Sequence, residues 1–452
     1  MESSVYKTLK IMNFVFEDSQ EQRNLVRGDN QNHQNCNRLT TAPFVNLSRT
    51  LSFYNPSMKD NSNHIDFNSD DIPNRYIIPV GTHNDPQNWA GGDLSTYRNY
   101  PSVFDNLNET YLKDLQSGKA ILLFDNSLEG FHEDWVFKFL HHECERFNIN
   151  PNQIVYITGN LMIESQYDSW LLSNPKEFKL NPLPFAYFEM DVHVFTNDLP
   201  EGNSTSPPTF SEQLEYKTNN EEDIKLFSCL NKKPRSHRVN FYKLLYFNNL
   251  LNKGLVSMES FGTHGNDWGG NQNSKFCKYS FSNEYVNKIK ETLPSRIYDK
   301  SNEEHNPDYY VTRFHPQVTL DSWIQVISET YFYDDYPTLF VSEKTFKSIA
   351  SSQPFIIMGN KNSLVELKKL GYKTFGDFWD ESYDSMEGCD RMDAIIQLLK
   401  DIDLIDNKLE WFSAMKDILE HNKNLLRENF VNRTPYVYDK VLKLYNNDSI
   451  SR

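Results

Sequence analysis

The chain is predicted to fold as two α/β domains, and three observations predict it. Short apolar runs bounded by polar turns recur in both halves, and segments of helical periodicity separate them, which is the order of β-α-β units. Between the halves, residues 197–223 are rich in Asn, Ser, Pro and Glu and lack helical periodicity. With 452 residues, and about 150 residues per domain as a prior, two or three domains can each hold a core. Hydrophobic content of 38% and aromatic content of 14% exclude wholesale disorder.

In the first half, Tyr76-Ile-Ile-Pro-Val80 and Ala120-Ile-Leu-Leu-Phe124 read as strands buried on both faces, residues 134–147 as a helix, and Gln153-Ile-Val-Tyr-Ile-Thr158 as the next strand. The polar stretch then places the boundary, giving domains 1–215 and 216–452. The second half opens with a strand at 224–229 and a helix at about 236–252. Strands follow at 254–258 and 323–331, then a helix from Glu343 and a strand at 355–358. Residues 390–403, 409–420 and 425–445 around Pro435 read as helical, and no repeat of solenoid spacing is present.

The most informative segment is Val341-Ser-Glu-Lys-Thr-Phe-Lys347 with the strand-like Pro354-Phe-Ile-Ile-Met-Gly359 behind it. Ser342 suits an N-cap, which puts Glu343 and Lys344 in a first helical turn whose amides and dipole favour an anion such as phosphate. Lys344 and Lys347 share a face, Phe346 and Ile349 form the packing face, and Glu343 is placed to accept sugar hydroxyls. Taken alone, Glu343 and Lys347 also read as an ordinary i,i+4 surface pair. Upstream, Asn231, Arg235 and Arg238 open the second domain's first helix. Cations there oppose the helix dipole, and a bound anion would resolve that tension.

Net charge is −16 and unevenly spread: residues 1–230 hold 17 Lys and Arg against 32 Asp and Glu, residues 231–452 hold 29 against 30. Within 231–258 six cations, Lys232, Lys233, Arg235, Arg238, Lys243 and Lys253, occur without one acid. A compact cationic site on an acidic chain suits a small phosphorylated ligand and disfavours nucleic acid. The five cysteines, Cys36, Cys144, Cys229, Cys277 and Cys389, follow no zinc or disulfide spacing. No apolar run reaches the roughly 18 residues that cross a bilayer, and the first residues lack a signal peptide's regions. A soluble, cytoplasmic protein is expected, in a host cytoplasm if the chain is viral.

Taken in order, Asn231-x-x-x-Arg235-x-x-Arg238, the Ser342-Glu343-Lys344 helix start, Gln353-Pro-Phe-Ile-Ile-Met-Gly359, Leu367-Lys-Lys-Leu-Gly371-Tyr-Lys-Thr-Phe375 and Trp379-Asp-Glu-Ser-Tyr-Asp384 resemble the donor-binding half of sugar-nucleotide glycosyltransferases. The parallels are the α-1,3-fucosyltransferase-like enzymes and the phage and bacterial glycosyltransferase-like proteins, over residues 225–400. The resemblance implies the GT-B arrangement of two Rossmann-like domains facing a cleft, with the donor held by the second domain. It implies a nucleotide-diphosphate sugar as donor substrate, no separate cofactor, a glycan or small hydroxyl acceptor, and inversion. Asn231, Arg235, Arg238, Ser342, Glu343, Lys344 and Lys347 would hold the donor, with Arg238 and Lys344 stabilising the departing diphosphate.

A base is needed for the acceptor hydroxyl. Glu129 is chosen because it follows the strand end at Phe124 in a Gly-containing loop, and Asp125, His132 and Glu133 are neighbours with nearly equal claims. No metal site is expected: Asp334-Asp335 and Asp401-Ile-Asp403 lack a strand-end setting, and His141-His142-Glu143 points its side chains apart on a helix. Asp380 and Glu381 read as helix caps. A transferase acting on modified DNA bases and a non-catalytic binding module of the same fold are the competing readings.

Overall fold

The computed structural model describes residues 12–16, 62–66, 74–81, 104–130 except 106 and 108, 134–198, 206–231, 234–260, 279, 283–295, 297, 314–332, 338–432 and 436–446. The chain divides into two compact units, Met1–Tyr187 with Val431–Arg452, and Phe188–Phe430.

Unit one holds a six-stranded parallel sheet in the order β2-β1-β3-β4-β5-β6. Its strands are β1 (Met12–Phe16), β2 (Ser62–Asp66), β3 (Tyr76–Gly81), β4 (Ala120–Asn126), β5 (Ile154–Thr158) and β6 (Asn181–Pro184). All seven residues of β4 and all five of β5 are buried, as expected where a parallel sheet is covered on both faces. Helices α1 (Glu109–Gln116), α2 (Trp135–Arg146) and α3 (Ile163–Ser173) follow the strand ends. Phe104, Phe124, Phe137, Leu140 and Tyr167 join one core, where each fully buried large apolar side chain contributes roughly 1.5–3 kcal/mol. Prolines in β6 stand on an edge strand, where missing N–H donors are tolerated.

Unit two holds a four-stranded parallel sheet in the order β10-β9-β7-β8, from β7 (Lys225–Leu230), β8 (Gly254–Ser257), β9 (Ser322–Ser328) and β10 (Phe355–Met358). Its helices are α4 (Tyr187–Asp198), whose first residue falls at the division, α5 (Phe210–Asn219), α6 (Ser236–Phe247), α7 (Asn283–Lys290), α8 (Pro316–Leu320), α9 (Glu343–Ala350), α10 (Ser363–Lys369), α11 (Gly388–Asp403), α12 (Lys408–Ala414) and α13 (Lys416–Asn432). The last helix, α14 (Tyr436–Tyr445), belongs to unit one, where the Tyr445 hydroxyl donates to the carbonyl of Arg75 at 2.8 Å. Gly254 is required by close approach, since a Cβ there would lie 2.5 Å from the Phe227 ring.

The strands expected from 76, 120, 153, 224, 254, 323 and 355 are all present, with ends shifted by at most three residues. Three expectations need correction. The stretch 197–223 is not a plain linker: α5 lies within it, started by a capping box between Thr209 and Glu212. The division falls at Tyr187/Phe188 instead of 215/216, because α4 and α5 pack with the second sheet's unit. The helices expected at 409–420 and 425–445 are cut differently, as 408–414, 416–432 and 436–445. Strands β2 and β6 carried no alternating apolar signal.

Candidate functional site

The order of the second sheet locates the site. From β7 the chain crosses to β8 on one side, and from β9 to β10 on the other. Right-handed crossovers therefore put α6 and α9 on opposite faces. Loops leaving β7 and β9 diverge, and the crevice at their carboxyl ends is where open parallel sheets bind ligands. Asn231 ends β7, Glu329 ends β9, and α6 and α9 begin there.

The two motifs singled out in the sequence meet at this point. Arg238 is buried and its guanidinium donates to the carbonyls of Ser328 and Glu329, both at 3.1 Å. Arg235 donates to the carbonyl of Thr330 at 2.8 Å. Burial, and then repulsion from Arg235, push the Arg238 guanidinium down to about 10, against attraction from Glu329 and Glu343. His237 lies between them, its Nε2–H donating to the carbonyl of Glu329 at 3.0 Å and its ring stacked on Phe332. Burial first, then Arg238, holds it well below its ordinary value, so the imidazole is neutral. The carbonyls at the end of β9 thus compensate the cations at the start of α6. A bound anion is not required to explain them, contrary to the expectation from the dipole.

At α9, Ser342 is the N-cap, its Oγ accepting from the amide of Lys344 at 3.4 Å. The Lys344 ammonium donates to Ser342 Oγ at 3.1 Å and to Glu343 Oε1 at 2.8 Å. Glu343 is no solvated surface acid, with 15% of its side chain exposed. Burial works against its charge, but Lys344 and Lys347 outweigh that and hold it below the usual carboxylate value. Lys347 is pushed down to about 8, mainly by burial and against the pull of Glu343. Phe346 and Ile349 are buried as the packing face predicted.

The amides of the first turn are less open than the motif suggested. Glu343 hydrogen-bonds its own backbone N–H, and the N–H of Ser342 is taken by Glu329, 3.1 Å away. An incoming anion would therefore be met chiefly by side chains. Among the described residues, Arg235, Arg238, Lys344 and Lys347 interact here with Glu329, Glu343 and Asp191. Asn231 Oδ1 and Arg235 Nε are buried without a hydrogen-bond partner among the described residues. Lys232 and Lys233 lie outside those residues.

Two buried charged residues escaped sequence reasoning. Glu329 is 1% exposed and stands at the centre of the site, hidden in the sequence because it reads as one more residue of an apolar strand. Arg391, from α11, is equally buried and donates to the carbonyls of Phe332 and Gly359, bracing the ends of β9 and β10.

The acidic motif at Trp379 is structural. Asp380 accepts from Ser382 N and Oγ, both at 2.8 Å, as a cap. Glu381 orders a loop instead, accepting from Phe375 N and Thr374 Oγ1, both at 2.7 Å. Asp384 caps α10 through Leu364 N at 3.1 Å. Gly371 ends α10 at φ 94°, with Gly371 N bonded to Lys368 O and Tyr372 N to Leu367 O, the pairing of a Schellman motif. That turn buries Tyr372, whose hydroxyl donates to Glu189 at 2.8 Å.

In unit one Glu129 is half-buried at the turn after β4, its carbonyl accepting from Thr158 Oγ1 at 3.1 Å and Gly159 N at 3.0 Å. The switch in strand order lies between β1 and β3, so Glu129 is one strand removed from it. Asp125 is buried and holds Ser127 N and Oγ at 3.1 and 2.7 Å. His132, Glu133, Asp334 and Asp335 lie outside the described residues.

Of the remaining acids and histidines, Asp401 accepts from Gln397 and Asp403 pairs with Lys253. His141 is buried against Tyr167. Among the described residues no group of three or more His, Cys, Asp or Glu side chains is arranged to hold a metal ion, Cys144, Cys229 and Cys389 are buried free thiols, and no helix is long and apolar enough to cross a membrane. No protein-family model, curated protein or solved structure matches this chain.

Proposed function

We propose that the protein is a metal-independent, inverting glycosyltransferase of GT-B type that moves a sugar from a nucleotide-diphosphate donor to a glycan or other hydroxyl acceptor. The observation that carries the reading is the gathering of Arg235, Arg238, Lys344 and Lys347 at the β7/β9 switch point of a Rossmann-like sheet. A diphosphate would be attracted to these cations, and the same cations stabilise it as it departs. Glu343, exchanging its bond to Lys344 for a ligand hydroxyl, would orient the sugar or ribose. Glu129 in unit one is the proposed base.

Thermal denaturation with UDP, GDP, CDP, ADP and dTDP, with and without chelator, tests the donor site. A ligand at a hundredfold excess over its Kd stabilises the native state by about 2.7 kcal/mol. The expected result is a rise in Tm with one nucleotide, indifferent to chelator and abolished in Lys344→Ala. No rise with any of the five overturns the reading. A rise without turnover of the matching sugar nucleotide points to the binding module instead.

A further inference from the structure

We propose that Glu329 is a positioning residue for the diphosphate, acting through the Ser342 hydroxyl to set where the Lys344 ammonium points; the proposal rests on the donor-site reading above. Glu329 has no acceptor capacity left for a ligand. Its carboxylate takes Thr330 N at 3.3 Å, Ser342 N at 3.1 Å, Thr345 Oγ1 at 2.7 Å and the Ser342 hydroxyl, which fills its roughly four lone-pair sites. With 1% exposure it touches no solvent through which a substrate could reach it.

What it does control is the direction of one proton. A hydroxyl carries one hydrogen and two lone pairs. Because Ser342 Oγ gives its hydrogen to Glu329, both lone pairs turn toward α9, where they receive the Lys344 amide at 3.4 Å and the Lys344 ammonium at 3.1 Å. The same carboxylate joins the end of β9 to residues 13 and 16 positions further on. It thereby fixes the start of α9 against the strand that flanks the crevice. The chain Glu329, Ser342, Lys344 is a relay of orientation: a buried acid aims a cation that the ligand can reach.

Glu329→Gln separates this role from plain support. Glutamine keeps the shape and an acceptor for Ser342 N and Thr345, but its NH₂ donates to Ser342 Oγ and occupies a lone pair that Lys344 needs. It also removes one negative charge, which by lost repulsion alone would tighten anion binding. Titration calorimetry would compare wild type, Glu329→Gln, Ser342→Ala and the double variant, using the stabilising nucleoside diphosphate and its parent nucleoside. Amide exchange would follow the first turn of α9.

Each single variant is expected to lose about tenfold in diphosphate affinity, the size of one charge-assisted hydrogen bond, with nucleoside affinity unchanged. The double variant is expected to lose no more than either single, and exchange at α9 in Glu329→Gln should match wild type. Equal or tighter diphosphate binding by Glu329→Gln, or losses that multiply in the double variant, overturns the relay. If wild type binds none of the diphosphates, the donor-site reading fails, and the acylation rate of the Lys344 amine decides the relay by itself. A change of about threefold or more in Glu329→Gln supports it, and an unchanged rate ends it.

Discussion

At the carboxyl edge of each parallel sheet the chain buries a polar cluster, and the two clusters are put together differently. In unit one Asp125 is consumed by Ser127, Thr158 by the carbonyl of Glu129, and Asn160 by Met162 N and Gln166. These are neutral and acidic groups that close turns on themselves. In unit two Arg235 and Arg238 spend donors on the carbonyls ending β9, and Lys344 holds Ser342 and Glu343. Among the described residues the same strand-turn-helix plan thus gathers turn-closing hydrogen bonds at one edge and a group of cations at the other. Turn-closing bonds stabilise the fold, whereas clustering like charges is a cost that a ligand of opposite charge can offset.

The sharpest way to break this contrast is at Glu129. If unit one contributes the base, Glu129→Gln lowers turnover about a hundredfold or more while leaving the melting shift with diphosphate intact. Turnover equal to wild type, measured with the donor identified by binding, removes Glu129 and leaves Asp125, His132 and Glu133 as candidates.

A smaller effect separates the edges by kind. Asp125→Ala orphans the buried N–H of Ser127 and is expected to cost about 1–3 kcal/mol of unfolding free energy by denaturant titration, with unchanged nucleotide affinity. Lys344→Ala, whose side chain is 26% exposed, is expected to do the reverse. Loss of affinity in Asp125→Ala would erase the distinction between a turn-closing and a ligand-binding edge.

The gentlest test is pH. His141 in unit one is held at about 4 by burial, below its ordinary value, so the unfolded chain binds more protons between about pH 4 and 6.5 and stability rises with pH there. Lys347 in unit two is held at about 8. Its cost to the fold is present in full below that value and is relieved as pH climbs toward the ordinary lysine range, so stability rises again above about pH 8. Diphosphate affinity should fall over that same upper window, because the cation is lost. Melting curves and titrations at successive pH values check the opposing slopes, and Lys347→Met should flatten both. Affinity that stays level through pH 9 would take Lys347 out of the site.

Legibility followed how local each signal was. The strands at 120, 154 and 355 were readable because a parallel strand covered on both faces must be apolar along its length. Ser342 as N-cap was readable because capping depends on a residue and its next turn. The polar strand Ser62–Asp66 and the proline-bearing β6 were not, since only neighbouring strands define them. Arg235 and Arg238 were found as cations, but their partners, carbonyls more than 90 residues away, are invisible to any reading along the chain. Glu329 was missed because the reasons for its burial sit in another element.

By itself, then, the sequence determined the α/β alternation, the acid-rich first half, the cationic start of the second half and the serine that begins α9. All of these follow from periodicity, composition and neighbouring residues. The tertiary structure alone decided the strand order β10-β9-β7-β8, and with it the crevice where α6 and α9 meet. It also decided that the amide of the N-cap Ser342 is taken by Glu329 and that of Glu343 by its own side chain instead of standing open. The physical reason is that burial and charge compensation depend on which groups are brought within a few ångströms, and only the crossovers between strands set that distance.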